Sequence, residues 1–503
     1  MVTPTGIVPG SRIGGKYEVV EVIGYGGMGV VYKVREQVGA VSRIRALKTV
    51  LPRHATNPSI VTRFREEAEK MCLLEHDNLV PVLSYSEEGE FPYLVMPFIE
   101  GQTLKEFLAA HMAKFGRPLP LVDVAEIGLQ ITRGLDVAHH FSNAETGKVQ
   151  PIIHRDIKPG NIMVRTEGRA GERNLRVLIM DFGIAKLVSD EDTGHTLTDV
   201  IGTVKYASPE QVQRSKDIDP RADIYSLGMV LYELYSGHHV FADTSEHGVL
   251  MRMMQRELEE IVPKFSDGTP SEFRELITKC VAVQREARWA DVAEVRALLK
   301  QIHDIEKARR SDDSRQAEEL AMTSRTTAMG TGASEFAASA FNQAEKIAEQ
   351  AKAARDKSLH TEATQLFQQA VTAFEQAAGF ASQARERELL VARIAAVRPV
   401  REAAVAAGAE SLAAEAFAEA VRATEAAERA LASNDLATVE REAHHAELAW
   451  RNARQTAERE AARREADAAR QELTRALSEE SEKLDALSTG IRSVEAVKRL
   501  GEA

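Results

Sequence analysis

Three short stretches carry side chains suited to chemistry. In "IIHRDIKPGNIM" (152–163), an acid, a base and an amide stand at Asp156, Lys158 and Asn161 between apolar flanks. The flanks read as short buried strands and the polar residues as a loop held between them. A solvated surface loop could carry the same charges, so the neighbours decide. "IGYGGMGVV" (23–31) places Gly24, Gly26 and Gly29 ahead of Val31 between two strand-like runs. Glycines there would let backbone N–H groups approach phosphate oxygens without interference from a Cβ. A dinucleotide fold would open a helix at these glycines, and a P-loop would continue Gly-Lys-Ser/Thr. "VVYKVRE" continues as strand instead, which points to a flap over a nucleotide. "VLIMDFGIAK" (177–186) ends an apolar strand on Asp181, a position fit for a metal ligand.

The elements that hold these residues follow from periodicity. From Tyr17 to about Ala46, Val and Ile alternate with polar residues, a β pattern divided by the glycine turn. Lys48, in "RALKTV", lies seventeen positions after Val31, where it could face the same cleft. A buried lysine needs an acidic partner. The amphipathic helix at 58–76, apolar at Ile60, Phe64, Ala68, Met71 and Leu74, offers Glu66, Glu67 and Glu69, and Glu67 shares the inward side with Phe64. "FPYLVMPFIEG" (91–101) is a strand, and helical patterns dominate from there to about residue 303. Asp223 heads the helix "DIYSLGMVLYEL", placed to cap it or brace a loop.

In this order and spacing the motifs resemble a eukaryotic-type (Hanks-type) serine/threonine protein kinase of the bacterial branch, over roughly residues 15–303. The resemblance implies an α+β fold of two lobes, the first β-rich and the second helical. It implies transfer of the γ-phosphoryl of ATP to protein Ser/Thr hydroxyls, with Mg²⁺ (or Mn²⁺) as cofactor. Under it, Asp156 orients and deprotonates the acceptor hydroxyl and Lys158 neutralises charge on the transferred group. Asn161 and Asp181 hold the metal, and Lys48, tied to Glu67, holds the α/β-phosphates. Ile23, Gly24, Gly26, Gly29, Val31 and Ala46 enclose the nucleotide, with Met96, Pro97, Phe98 and Ile99 as the hinge. Pro97 departs from the acidic residue common there, and its C=O remains free to pair with adenine. Thr203, before "KYASPE", would bond Asp156 and Lys158, and Thr193, Thr196 and Thr198 are candidate activation-loop phosphosites, with Arg155 placed to pair with a phosphothreonine. The rival reading is a pseudokinase scaffold that assembles partners through its tail. Intact Lys48, Asp156 and Asp181 argue for the enzyme.

Composition bounds the rest. The chain has 503 residues, 44% hydrophobic and only 5% aromatic, so more than one domain is expected and part should be Ala-rich helix. Residues 1–14 read as a flexible lead-in, 15–303 as the kinase domain, and 304–334 as a polar linker. The tail is expected to be all-α. "EFAASAFNQAEKIAEQAKAARD" (335–356) aligns with "SLAAEAFAEAVRATEAAERALA" (411–432) at an offset of 76, which also pairs Phe374 with Trp450. The duplicated hairpins fill 335–460. In the helix that follows (461–503), Ala462, Ala466, Ala469, Leu473, Leu477, Leu484 and Leu487 form a stripe interrupted at Glu480. It would serve as a coiled coil for a homodimer or helical partner, or pack back on the repeat. A net charge of −12 argues against nucleic-acid binding. No apolar run spans a membrane, and the N-terminus lacks a secretory pattern, so a cytoplasmic protein acting on protein substrates is expected. Cys72 and Cys280 read as two buried thiols. The pairs His139-His140, His238-His239 and His444-His445 read as surface or helix-face residues.

Overall fold

The computed structural model describes residues 5–25, 29–87, 91–142, 147–167, 174–182, 204–213, 215, 217–242, 244–254 and 263–500. They form two compact units, residues 1–314 with 354–361, and residues 315–353 with 362–503.

The first unit opens with β1 (Arg12–Ile13), β2 (Tyr17–Tyr25), β3 (Gly29–Val38) and β4 (Val41–Val50). Helices α1 (Pro52–Ala55) and α2 (Pro58–Cys72) follow, then β5 (Ser84–Ser86) and β6 (Tyr93–Pro97). The antiparallel sheet runs β1-β2-β3-β4-β6-β5. Strand alternation divides its side chains. Val30, Tyr32, Val34, Leu47 and Val95 close one face, and Ala46 and Met96 join the main core on the other. The 2.0 Å between a Cβ built on Gly29 and the Thr49 carbonyl oxygen makes glycine obligatory there for ladder pairing, whatever its bearing on phosphate. Part of the expected flexible lead-in is tied down. Ile13 is a buried strand residue, and the Thr5 hydroxyl bonds the Tyr32 hydroxyl at 2.5 Å. Helix α2 starts at Asn57, whose side chain accepts from the Ser59 N–H at 3.0 Å, with Pro58 pre-set in the first turn. It buries Ile60, Phe64, Ala68 and Met71. Cys72, on the far side of that stripe, is exposed rather than buried as expected, whereas Cys280 is buried.

The second lobe contains β7 (Gln102–Thr103), α3 (Leu104–Phe115), α4 (Leu121–His139), β8 (Ile162–Glu167) and β9 (Asn174–Ile179). It continues through α5 (Pro209–Val212), α6 (Arg221–Ser236), α7 (Glu246–Met254), α8 (Ser271–Cys280) and the start of α9 (Val292–Gly330). A capping box between Thr103 and Glu106 starts α3. Its core packs Ile127 and Ile131 of α4 with Leu227 and Leu231 of α6 and Phe273 of α8. His140, expected at the surface and half exposed, lies between two carboxylates: Nδ1 is 3.0 Å from Asp136 and Nε2 3.1 Å from Asp291. Arg296 pairs with Asp136 at 2.7 Å, and Asp291 caps α9 through the Ala293 N–H at 2.7 Å. The Asp136 carbonyl, and then the Asp291 and Asp136 charges, raise the His140 imidazole above its ordinary value against a smaller opposing effect of burial. A raised pKa gives stability that is present below the unfolded value and lost as pH rises through the folded one. His140→Gln should therefore flatten the decline of unfolding free energy on raising pH from 6 to 8, by at most about 1 kcal/mol because solvent screens the site. Parallel wild-type and variant profiles would show that the clasp carries no linked proton.

In the second unit, α9 runs as helix through Gly330, so the segment expected as a linker is helical up to there. Helix formers such as Arg315, Gln316, Glu318 and Glu319 are interspersed among its Ser, Thr and Asp residues, and the first glycines arrive only at Gly330 and Gly332. Helices α10 (Ala333–Phe336), α11 (Ala338–Asp356) and α12 (His360–Ala406) recur 76 residues later as α13 (Ala409–Leu412), α14 (Ala414–Ala432) and α15 (Leu436–Leu500). The left-handed turn residues recur too: Gly332 with Gly408, and Ser358 with Asn434. Phe341 meets Phe374 at 5.5 Å between ring centroids, and Phe417 meets Trp450 at 5.1 Å. Phe374 and Trp450 are both fully buried. The end of α12, α14 and the start of α15 share one core containing Val397, Ala404, Ala420, Ala446 and Trp450.

Candidate active site

The loop after α4 carries His154, Arg155 and Asp156, and a buried carboxylate from α6 holds it. Asp223 accepts from the His154 N–H at 2.7 Å, the Arg155 N–H at 2.8 Å and His139 Nε2 at 2.9 Å. Burial alone would raise the Asp223 carboxyl, but the His139 hydrogen bond and nearby imidazoles hold it below the usual carboxylate range. Asp223 therefore braces the loop. Its partner His139 is a buried residue on a face of α4, the second of the two readings its histidine pair allowed. Arg155 takes φ 65°, a conformation non-glycine residues rarely adopt, and is held there by the Asp223 bond and by Gln211 donating to its carbonyl at 2.9 Å.

The strained loop delivers Asp156. Its Oδ2 accepts from Lys158 Nζ at 2.8 Å and Asn161 Nδ2 at 2.8 Å. Among the described residues its buried Oδ1 has no hydrogen-bond partner. One carboxylate oxygen is thus fixed in place, and the other is an acceptor poised for an incoming proton. Asn161 also donates Nδ2 to the Asp156 carbonyl at 2.9 Å, so its amide oxygen is what it has left to offer a cation.

Asp181 follows β9, also at positive φ (59°), with Phe182 buried against the His154 ring at 4.6 Å. Its Oδ1 accepts from Lys48 Nζ at 2.8 Å. Burial works to raise the Asp181 carboxyl, and the Lys48 ammonium outweighs it and keeps the group ionised. The Asp181 carboxylate and the Asn161 amide oxygen are hard oxygen donors, a set that fits Mg²⁺.

One expectation fails. Among the described residues Lys48 pairs with Asp181 and not with Glu67, which pairs with Lys70 of its own helix at 3.0 Å. A partner three residues away on α2 competes for Glu67 locally, while the left-handed turn at Asp181 brings a carboxylate under Lys48.

The remaining predicted positions sort as follows. Val31 and Lys48 face each other across β3 and β4, and Ala46 faces Met96 across β4 and β6. Ala46 and Met96 are buried, Pro97, Phe98 and Ile99 are half-buried, and Ile23 is exposed. Gly24 opposes Val31. Gly26, Thr193, Thr196, Thr198 and Thr203 lie outside the described residues.

Sequence reasoning missed one structural anchor. Arg288 has a fully buried side chain that forks onto both carboxylate oxygens of Glu210 at 2.7 and 2.9 Å. Its guanidinium also lies over the Tyr225 ring at 4.9 Å. "REARWADV" carries two arginines, Arg285 and Arg288, and nothing in it marks which one is buried.

The protein kinase domain family matches this chain over residues 17–301. The chain belongs to that family. Over 296 residues, the kinase domain and its flanks are 33% identical to serine/threonine-protein kinase PknB of Mycolicibacterium smegmatis, covering 58% of this chain and 43% of that protein. Serine/threonine-protein kinase PrkC of Bacillus subtilis is 32% identical over 298 residues, covering 59% of this chain and 42% of its own length. The chain thus spans about two-fifths of the length of these curated relatives. Among solved structures, the Mycobacterium tuberculosis PknI kinase domain is 22% identical with a TM-score of 0.43, covering 59% of this chain and 98% of that one. The bacterial serine/threonine kinases are the relatives whose motifs the kinase domain shares.

Proposed function

We propose that the chain is an ATP-dependent serine/threonine protein kinase. The observation that carries the reading is the catalytic loop: Asp156 keeps one buried carboxylate oxygen open while Lys158 and Asn161 fix the other. A serine or threonine hydroxyl loses its proton to that oxygen as its own oxygen attacks the γ-phosphorus, and the bond to the β-bridging oxygen breaks towards ADP. Lys158 neutralises charge on the group in flight, and Asn161 with Asp181 would hold Mg²⁺, which screens the phosphate charge. For Lys48 to reach the α/β-phosphates in partnership with Glu67, it must leave Asp181, and Glu67 must leave Lys70. Phosphorylation at Thr193, Thr196 or Thr198 supplies a drive for this rearrangement, since Arg155 stands beside the catalytic acid as a cationic partner.

No helix among the described residues is long and apolar enough to cross a membrane. This supports a kinase acting on cytoplasmic proteins, with the helical tail assembling protomers or recruiting a partner. Incubation of the full chain with labelled ATP and Mg²⁺, followed by phosphosite mapping, tests the reading. Label on Ser and Thr, including the 193–198 cluster, is expected. Predominant phosphotyrosine overturns the specificity, and no transfer to self or to added protein returns the reading to a scaffold.

A further inference from the structure

The last part of α15 repeats the position of a helix that is buried in both preceding repeats. Ala321 of α9 and Val397 of α12 are 3% and 4% exposed, and the same step of 76 leads to Leu473 of α15. There the burial stops. Leu473, Leu477, Leu484 and Leu487 are each 62–64% exposed, so among the described residues nothing covers the stripe.

Two substitutions show that what covers it is not another bundle of the same kind. Where the repeats bury Ala328 and Ala404 completely, α15 carries Glu480. A site that holds a methyl group in a closed bundle would have to bury a carboxylate. Where the repeats turn at Gly332 and Gly408, with φ of 84° and 75°, α15 carries Leu484 and continues as helix to Leu500. The third repeat position is an uninterrupted helix with one apolar edge.

Its spacing suits a different partner. Leu473, Leu477, Glu480, Leu484 and Leu487 follow steps of four and three, and Val494 comes one heptad after Leu487, a period of 3.5 over three heptads, the pattern of a supercoiled pair. Glu480 occupies a seam position, where a two-stranded pair accepts a polar residue at a cost in stability, and its own Lys483 lies 3.1 Å away. Arg475 and Glu479 pair on the opposite face at 3.1 Å. These two pairs offset Glu479 and Glu480 within the helix, and the leucine edge is complementary to itself.

We infer that residues 473–494 form a two-stranded coiled coil with a second copy of this chain. The inference extends the assembly role proposed for the tail and needs no phosphotransfer, so its failure and that of the kinase reading are separable.

Sedimentation equilibrium of the full chain from about 0.5 to 50 μM tests it. A mass of twice the 55.3 kDa chain is expected. The Leu477→Asp/Leu484→Asp double variant should raise the dimer Kd on the order of a hundredfold or more, with helix content by circular dichroism unchanged because both residues are exposed in the chain. Glu480→Leu should tighten the dimer about tenfold, by replacing the one charge on the edge. A monomer throughout the range, a dimer indifferent to the double variant, or a Glu480→Leu protein no tighter than wild type would each overturn the inference.

Discussion

Asp156→Asn should lower the rate of phosphoryl transfer by roughly 10²–10⁴ while leaving nucleotide affinity within a few-fold. Asp156 Oδ2 is committed to Lys158 and Asn161, and Oδ1 is buried and open. An amide that turns its oxygen towards the two donors presents an NH₂ where the acceptor is needed, so the substrate hydroxyl loses its proton sink. The alternative orientation sets a donor against Lys158 and Asn161 and disorders the loop. Nucleotide contacts are expected from Lys48, Asp181 and the hinge, none of which the substitution alters. Single-turnover transfer and nucleotide affinity, measured on the same preparation, check both halves. Transfer within threefold of wild type would remove Asp156 from the chemistry, and a matching loss of nucleotide affinity would point to a collapsed site instead.

Arg288→Ala should destabilise the first unit by about 3–5 kcal/mol, because it strands the Glu210 carboxylate in a largely buried position. The loss exceeds one ion pair. Nε donates to the Ala282 carbonyl, Nη1 to Glu210 and the Arg221 carbonyl, and Nη2 to Glu210 and the Val283 carbonyl. All five guanidinium N–H groups are therefore used, tying α5 to the start of α6 and to the segment that follows α8. Arg288→Lys keeps the charge but has three donors on a single nitrogen and cannot reproduce the fork. It should recover less than half of the deficit. Urea titration of the full chain, followed by near-ultraviolet circular dichroism from the tyrosines and Trp289 of this unit, gives the comparison. A midpoint unchanged in Arg288→Ala would mean that water replaces the guanidinium at no cost.

The two results bear on different aspects of the site. Asp156 tests the chemistry of a loop whose residues were apparent from their order in the chain. Arg288 tests the support that keeps the segment after the activation loop in place, and that support comes from side chains 78 residues apart. The brace from Asp223 lies between these extremes. Its position at the head of a helix suggested a brace, whereas the buried His139 completing it did not stand out among three histidine pairs.

What the sequence by itself determined is the part governed by short-range rules. Alternation with period two gave the sheet and put Val31, Ala46 and Lys48 on one face. Period 3.6 gave α2, and the matched aromatics at an offset of 76 gave the paired hairpins, because large side chains need equivalent holes in equivalent bundles. The order of the catalytic motifs identified the family, since chemistry fixes residue types that stability leaves free. Only the tertiary structure decided which charges meet. Lys48 had three acidic candidates on α2 and took Asp181, 133 residues away, because partner choice depends on distance and burial. Residues 304–330 looked like a linker from their polar composition, yet they form helix. Composition records how polar a segment is, and only packing of Ala321 and Ala328 in the second unit shows that one face of it is dry.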